Sequence, residues 1–166
     1  SNDSLSLSAP LFQMSDDHCV IAGANCTSAA GDRIVFGQRS TLSNTPICPS
    51  LGFTFGQPLA AWRDDAGTLV LITSPTALTN TNSVISVRKT GHVKVLRANG
   101  VQKATDSTPQ TTTTLNSAAI GMTPTATPGS YFNGAIYPVI AIKGTLSDSD
   151  LLVLERFVGQ LSGVSL

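Results

Sequence analysis

The chain has 166 residues, a formal net charge of zero and only 12% charged residues. A chain of this length buries about 68–70% of its unfolded surface, enough for a core without staples, and 1–166 is read as one domain, open to being part of a longer protein. Its ten Lys and Arg are spread thinly and leave no basic footprint for nucleic acid; no apolar run reaches the ~20 residues that span a bilayer, and the opening "SNDSLSLSAP" lacks the basic and apolar regions of a signal peptide.

In chain order, period-two alternation marks candidate strands at 5–14, 18–24, 33–38, 51–56, 59–63 and 68–73, then at 83–89, 92–98, 101–105, 114–122 and 133–143. β-branched residues suit such pleated, half-buried surfaces. The joints have their own chemistry. "DDAG" (64–67) and "KTGH" (89–92) each supply a glycine for a tight turn, and Asn99-Gly100 is the favoured type I′ pair, whose twist matches the flanking strands. Three turns in about 40 residues argue for an antiparallel meander, because parallel strands need crossovers of a dozen or more residues. Thr-rich stretches at 73–81 and 105–114, and the Pro-broken "GMTPTATPGS" (121–130), read as surface loops.

One segment leaves the β pattern. In "LSDSDLLVLERFVGQL" (146–161), Ser147 can cap a helix, with Asp150 three residues on in the place of the usual capping-box glutamate. Leu151, Leu154, Val158 and Leu161 share one face at helical spacing, which puts Glu155 on the outer face, and Gly163 ends the helix. Many short strands and one helix argue for an all-β sandwich. Ile85, Val87, Val93, Val95, Ile136, Val139 and Ile142 are the expected inward residues. Pro138 makes its strand an edge or gives it a bulge.

Two stretches resemble a known family. "SVISVRKTGHVKVLRANGV" is similar to the central hairpins of laminin-G/concanavalin A-like domains, and "AAIGMTPTATPGSYFNGAIYPVIAIKGTLSDSDLLVLERFVGQLSGVSL" resembles their ending, with its Phe-Asn-Gly turn and Leu-Ser-Asp helix start. "FQMSDDHCVIAGA" is similar to an early strand of the family. The ending resembles in particular the form found in tail, fibre and other virion proteins of bacteriophages. The resemblance implies a two-sheet antiparallel jelly-roll sandwich with one short C-terminal helix, made in a host cytoplasm and carried on a virion.

The family includes glycan hydrolases, which need two carboxyl groups flanking the scissile bond, and lyases, which need a Tyr or His base with a neutralising Arg or Asn, for which His18, His92, Tyr131 and Tyr137 are the available bases. The single glutamate is Glu155, and most aspartates (Asp3, Asp16, Asp17, Asp32, Asp64, Asp65, Asp106, Asp148, Asp150) fall at turns. His18 and His92 have no partner at motif spacing and read as a turn residue and a solvated strand end. The expectation is therefore a non-enzymatic chain. Calcium takes six to eight oxygens and could draw on Asp16-Asp17 or Asp64-Asp65, but turn aspartates are the simpler reading, and no metal site is assigned. Cys19, Cys26 and Cys48 are odd in number and lack C-x-x-C spacing. They read as three reduced, small hydrophobes, with a Cys19–Cys26 bridge the local alternative.

For carbohydrate, the candidates are Trp62 with its neighbours Arg63 and Asp64, and Tyr131 in the loop before "FNG". A sugar site joins an aromatic platform to polar groups. Alternation opposes Trp62 to Arg63, so a solvent-facing Arg63 implies a core Trp62. The expected function is a phage virion module that binds a receptor or host-surface glycan. A capsid-decorating, cementing or assembly role among other virion proteins is the alternative, and a polysaccharide-degrading enzyme the second. A homo-oligomer is implied by the resemblance, although no coiled-coil heptads enforce one.

Overall fold

The structure is a computed structural model that describes residues 4–40, 46–125 and 129–166. Asp3 and the middle of the 121–130 loop lie outside them. The elements are β1 (Leu5–Leu7), β2 (His18–Cys26), β3 (Asp32–Arg39), β4 (Ile47–Thr54), β5 (Gln57–Arg63) and β6 (Leu69–Thr73). They continue with β7 (Asn82–Thr90), β8 (Val93–Ala98), β9 (Val101–Asp106), β10 (Ser117–Ile120), β11 (Gly134–Lys143) and α1 (Asp148–Ser162). The strands form a six-stranded sheet, β1-β10-β3-β4-β5-β6, and a five-stranded sheet, β11-β2-β7-β8-β9, antiparallel throughout. This is the expected jelly-roll sandwich. The main core lies between the sheets, around Val20, Phe36, Leu51, Phe53, Trp62, Ile85 and Leu96. A second, smaller core joins the five-stranded sheet to α1 through Cys19, Ile21, Val84, Leu151 and Val158.

The Asn99-Gly100 turn forms as expected, with φ of 48° and 74°. Asn99 also accepts a hydrogen bond from the Val84 amide at 2.9 Å, so the residue that bends the chain also ties it to β7. A second two-residue turn was expected to be strand: β4 starts earlier, at Ile47, and Phe55-Gly56 turns the chain with φ of 48° and 79°. The helix caps hold too. Ser147 Oγ accepts from the Asp150 amide at 3.1 Å, and Gly163 takes a left-handed φ of 71°. Pro138 lies in an edge strand, inside the register shift between Ile136 and Val139.

Four expectations are corrected. The strand over 5–14 stops at Leu7; beyond it, the amides of Leu11 and Phe12 donate to Gln38 Oε1 instead of a ladder, and Phe12 and Met14 turn into the core. Val93 and Val95 do not interleave between the sheets. The hairpin register pairs Ile85 with Ala98, Val87 with Leu96 and Lys89 with Lys94, so Lys94, Leu96 and Ala98 point inward. Lys94 is fully buried, and its ammonium donates to the carbonyls of Thr108 (2.8 Å) and His92 (3.2 Å). Ile142 pairs with Cys19, on the helix side, because the bulge at Pro138 inverts the alternation. Glu155 is buried, while Leu161 is 53% exposed. The glutamate accepts from Ser86 Oγ at 2.5 Å, Arg97 Nε at 2.9 Å and Arg97 Nη2 at 3.0 Å. A buried carboxylate is tolerated when it is so paired.

Candidate functional site

The outer face of the six-stranded sheet is built from three cross-strand rows. Arg39, Ile47, Arg63 and Leu69 form one; Gly37, Ser50, Ala61 and Leu71 the next; Ile34, Gly52, Leu59 and Thr73 the third. Ser117 and Ala119 of β10 extend the first two. These residues face outward because their chain neighbours Val35, Cys48, Leu51, Phe53, Ala60, Trp62, Val70 and Ile72 fill the inter-sheet core. In the middle row Gly37, Ser50 and Ala61 are small and buried, and Leu71 stands out at the edge. Residues 121–125 and 129–131 lie against one part of the face: Ser130 O accepts from the Ile34 amide at 3.1 Å, Ser117 Oγ donates to Pro124 O at 3.3 Å, and a Cβ on Gly37 would meet Pro124 Cδ at 3.4 Å.

The first row holds two cations. Arg39 and Arg63 are both the register partners of Ile47, so their Cα atoms lie on the order of 10 Å apart, two strand spacings. Both side chains are half-buried. Among the described residues the ion pairs are Arg88–Asp148, Lys94–Asp106, Arg97–Glu155 and Lys143–Asp16; Arg39 and Arg63 take part in none of them. The Nε atoms of both arginines are buried without a hydrogen-bond partner among the described residues, and so is Ser50 Oγ. Burial, and then the charge of Arg63, push the Arg39 guanidinium below its ordinary value, yet an arginine stays charged at neutral pH. A buried charge costs stability unless it is paired. Two guanidinium forks and a hydroxyl with unspent hydrogen-bonding capacity, on a face with Asp32 as its only strand carboxylate among the described residues, suit a carboxylate-bearing ligand.

Arg63 is thus the one sequence candidate that lies in this cluster. Trp62 is the correction: it is wholly buried and donates from Nε1 to His18 Nε2 at 3.3 Å, so it has no face to offer a sugar. Asp64 is buried as well. Burial alone would raise its carboxyl, but donors from Thr111 and Thr68 outweigh that and hold it below the usual value. It anchors the 107–114 loop. Tyr131 is half-buried on the segment that crosses the face, next to Ser130, and the structure does not place it against the arginines. Arg39 and Ser50 were missed. Each looks ordinary alone in the chain, and only the β3–β4–β5 register brings them beside Arg63.

The remaining candidates find structural roles. His18 is buried rather than a turn residue; it stacks on Phe12 with ring centroids 4.9 Å apart. Its Nε2 accepts from Trp62, so Nδ1 carries the proton toward Asp16 O at 3.0 Å. Burial depresses its pKa to about 4. Asp16 and Asp17 accept from Gln13, Lys143, Gly91 and Thr145, and Asp65 from Thr114. Their oxygens serve the loops they close, and no cluster of metal-ligating side chains occurs among the described residues. The three cysteines are buried free thiols. Cys19 faces α1 and Cys26 the main core, which rules out a bridge between them.

No protein-family model matches the sequence, and no curated protein matches it. Solved structures do. The Ruminococcus gnavus IT-sialidase CBM40 superposes with a TM-score of 0.73 at 18% identity, covering 85% of this chain and 83% of that one; it has also been solved with α2,6 and α2,3 sialyllactose. The NanB sialidase from Streptococcus pneumoniae gives 0.74 at 12% identity over 92% of this chain and 26% of its own. The botulinum neurotoxin serotype D ligand binding domain, in complex with N-acetylneuraminic acid, gives 0.71 at 11% identity over 93% of this chain and 40% of its own. At such identities what is shared is the architecture: this chain has the jelly-roll sandwich fold of these proteins.

Proposed function

We propose that the chain is a non-enzymatic glycan-binding module that takes an acidic sugar on the outer face of its six-stranded sheet. The carrying observation is the pair Arg39 and Arg63, which form no ion pair among the described residues, with Ser50 Oγ on the neighbouring row. The guanidinium forks suit a sugar carboxylate, the unpartnered Ser50 Oγ suits a hydroxyl, and the exposed leucines Leu69 and Leu71 offer an apolar edge for a ring. Structural neighbours solved with sialyl ligands support the choice of an acidic sugar. A non-catalytic role is supported by the carboxylates, since Glu155 of α1 is locked against Ser86 and Arg97 of the five-stranded sheet and the loop aspartates hold backbone amides. A glycosidase needs two carboxyl groups flanking the bond.

The setting we propose is a bacteriophage virion, on the strength of the resemblance of residues 118–166 to virion proteins; Arg39 and Arg63 then face a host-surface glycan. A structural role among other virion proteins is favoured by one observation: α1 carries Val153, Phe157 and Leu161 outward, 51–61% exposed. Titration with 3′- and 6′-sialyllactose, followed by NMR, is the test. Saturable shifts at Arg39, Ser50 and Arg63, absent with lactose, are expected. No shift with any acidic glycan defeats the reading, and release of reducing ends from the ligand defeats the non-catalytic part.

A further inference from the structure

Four strands form the edges of the sandwich among the described residues; two are blunted along their length and a third is covered at its start. Edge strands expose unpaired N–H and C=O groups, and folded proteins guard them with proline, charge, bulges or covering loops. β11 has Pro138, a bulge and Lys143. β9 has Lys103 and an irregularity opposite Leu96 and Arg97. The start of β6 is covered by the loop in which Gln110 Nε2 donates to Thr68 O at 2.7 Å. Among the described residues β1 has none of these. Leu5–Leu7 reads Leu-Ser-Leu, uncharged and unbulged, paired on one side only to β10.

Its leucines are unfinished business for the core. Leu5 and Leu7 pair with Ile120 and Ala118 and so point toward the other sheet, yet they stay 59% and 44% exposed. With Leu11, Val139 and Ala141 they line an apolar crevice of about 160 Å³ along the seam between β1 and β11.

We infer that β1 is a self-association edge, pairing antiparallel with β1 of a second copy of this chain about a twofold axis through Ser6. The segment is its own complement. Centred on Ser6, the register sets Leu5 of one copy opposite Leu7 of the other, twice, and opposed residues in an antiparallel pair point to the same side. Four leucines then meet over the two crevices. Centring on Leu5 or Leu7 would keep only one Leu–Leu pair. The axis of an antiparallel pairing is perpendicular to the sheet, so the two six-stranded sheets become one and both outer faces, with their Arg39–Arg63 pairs, look the same way. Two such sites facing one glycan layer gain by avidity. The pairing itself stands whether or not the ligand is an acidic sugar.

A three-residue edge makes a small interface, so the mass should be followed by light scattering from about 10 μM to about 1 mM without ligand. A twofold rise in mass is expected, abolished by Leu5→Lys with the thermal transition retained. Ser6→Cys, at an exposed position, should cross-link two chains under mild oxidant, whereas Ser149→Cys at the exposed helix start should not. A monomer throughout the range, a trimer or larger species, a dimer that survives Leu5→Lys, or Ser6→Cys that fails to cross-link overturns the pairing.

Discussion

The two sheets each carry arginines on their outward faces, and the two faces are finished differently. On the five-stranded sheet, α1 brings Glu155 onto Arg97 and Asp148 onto Arg88, at 2.9 and 2.6 Å. On the six-stranded sheet, Arg39 and Arg63 stand across Ile47 from one another and repel. The same side chain closes a fold when the chain supplies its carboxylate and, in the function proposed above, meets a ligand's carboxylate when it does not. The physical difference is desolvation: a half-buried guanidinium without a counter-charge has an unmet demand that an outside anion can satisfy.

The largest effect should come from opening the finished face. Glu155→Ala leaves Arg97 and Ser86 without their acceptor under α1, and breaking such a buried pair costs about 3 kcal/mol; urea unfolding should show it, with the denaturant slope unchanged. A comparable loss should appear with acid. Folded His18 has its pKa near 4 and the unfolded side chain near 6.5, so below pH 6.5 the unfolded chain binds the extra proton. The stability this histidine contributes is therefore whole above that pH and is lost as pH falls through 4, by about 3 kcal/mol. His18→Gln, which keeps an acceptor for Trp62, should flatten this part of the pH–stability profile.

The next prediction sets the faces directly against each other. Arg39→Ala or Arg63→Ala should weaken sialyllactose binding at least about tenfold, or about 1.4 kcal/mol, and leave the urea midpoint level or raised because a like-charge repulsion goes. Arg97→Ala should do the reverse, lowering the midpoint and sparing the affinity measured by calorimetry. If all three behave alike, the contrast between the faces is false. The smallest effect is expected at Asp148→Asn. Asp148 is 81% exposed, and surface pairs of this kind contribute about 0.5 kcal/mol or less; a melting curve should barely move.

Local chemistry in the sequence determined a good deal. Asn99-Gly100 demands a hairpin, the Ser147 and Gly163 caps bracket a helix, and Pro138 marks an edge strand, because each acts within a few residues of itself. The sandwich follows from repeating such units. Tertiary register decided the rest. It sent Lys94 inward and Val93 outward, since a one-residue offset exchanges the faces of a strand. It turned Glu155 of the helix onto the sheet to meet Arg97, 58 residues away. It also set Arg39 across from Arg63, an adjacency with no trace in either one's neighbours, because strand pairing joins residues by position in a sheet rather than by distance along a chain.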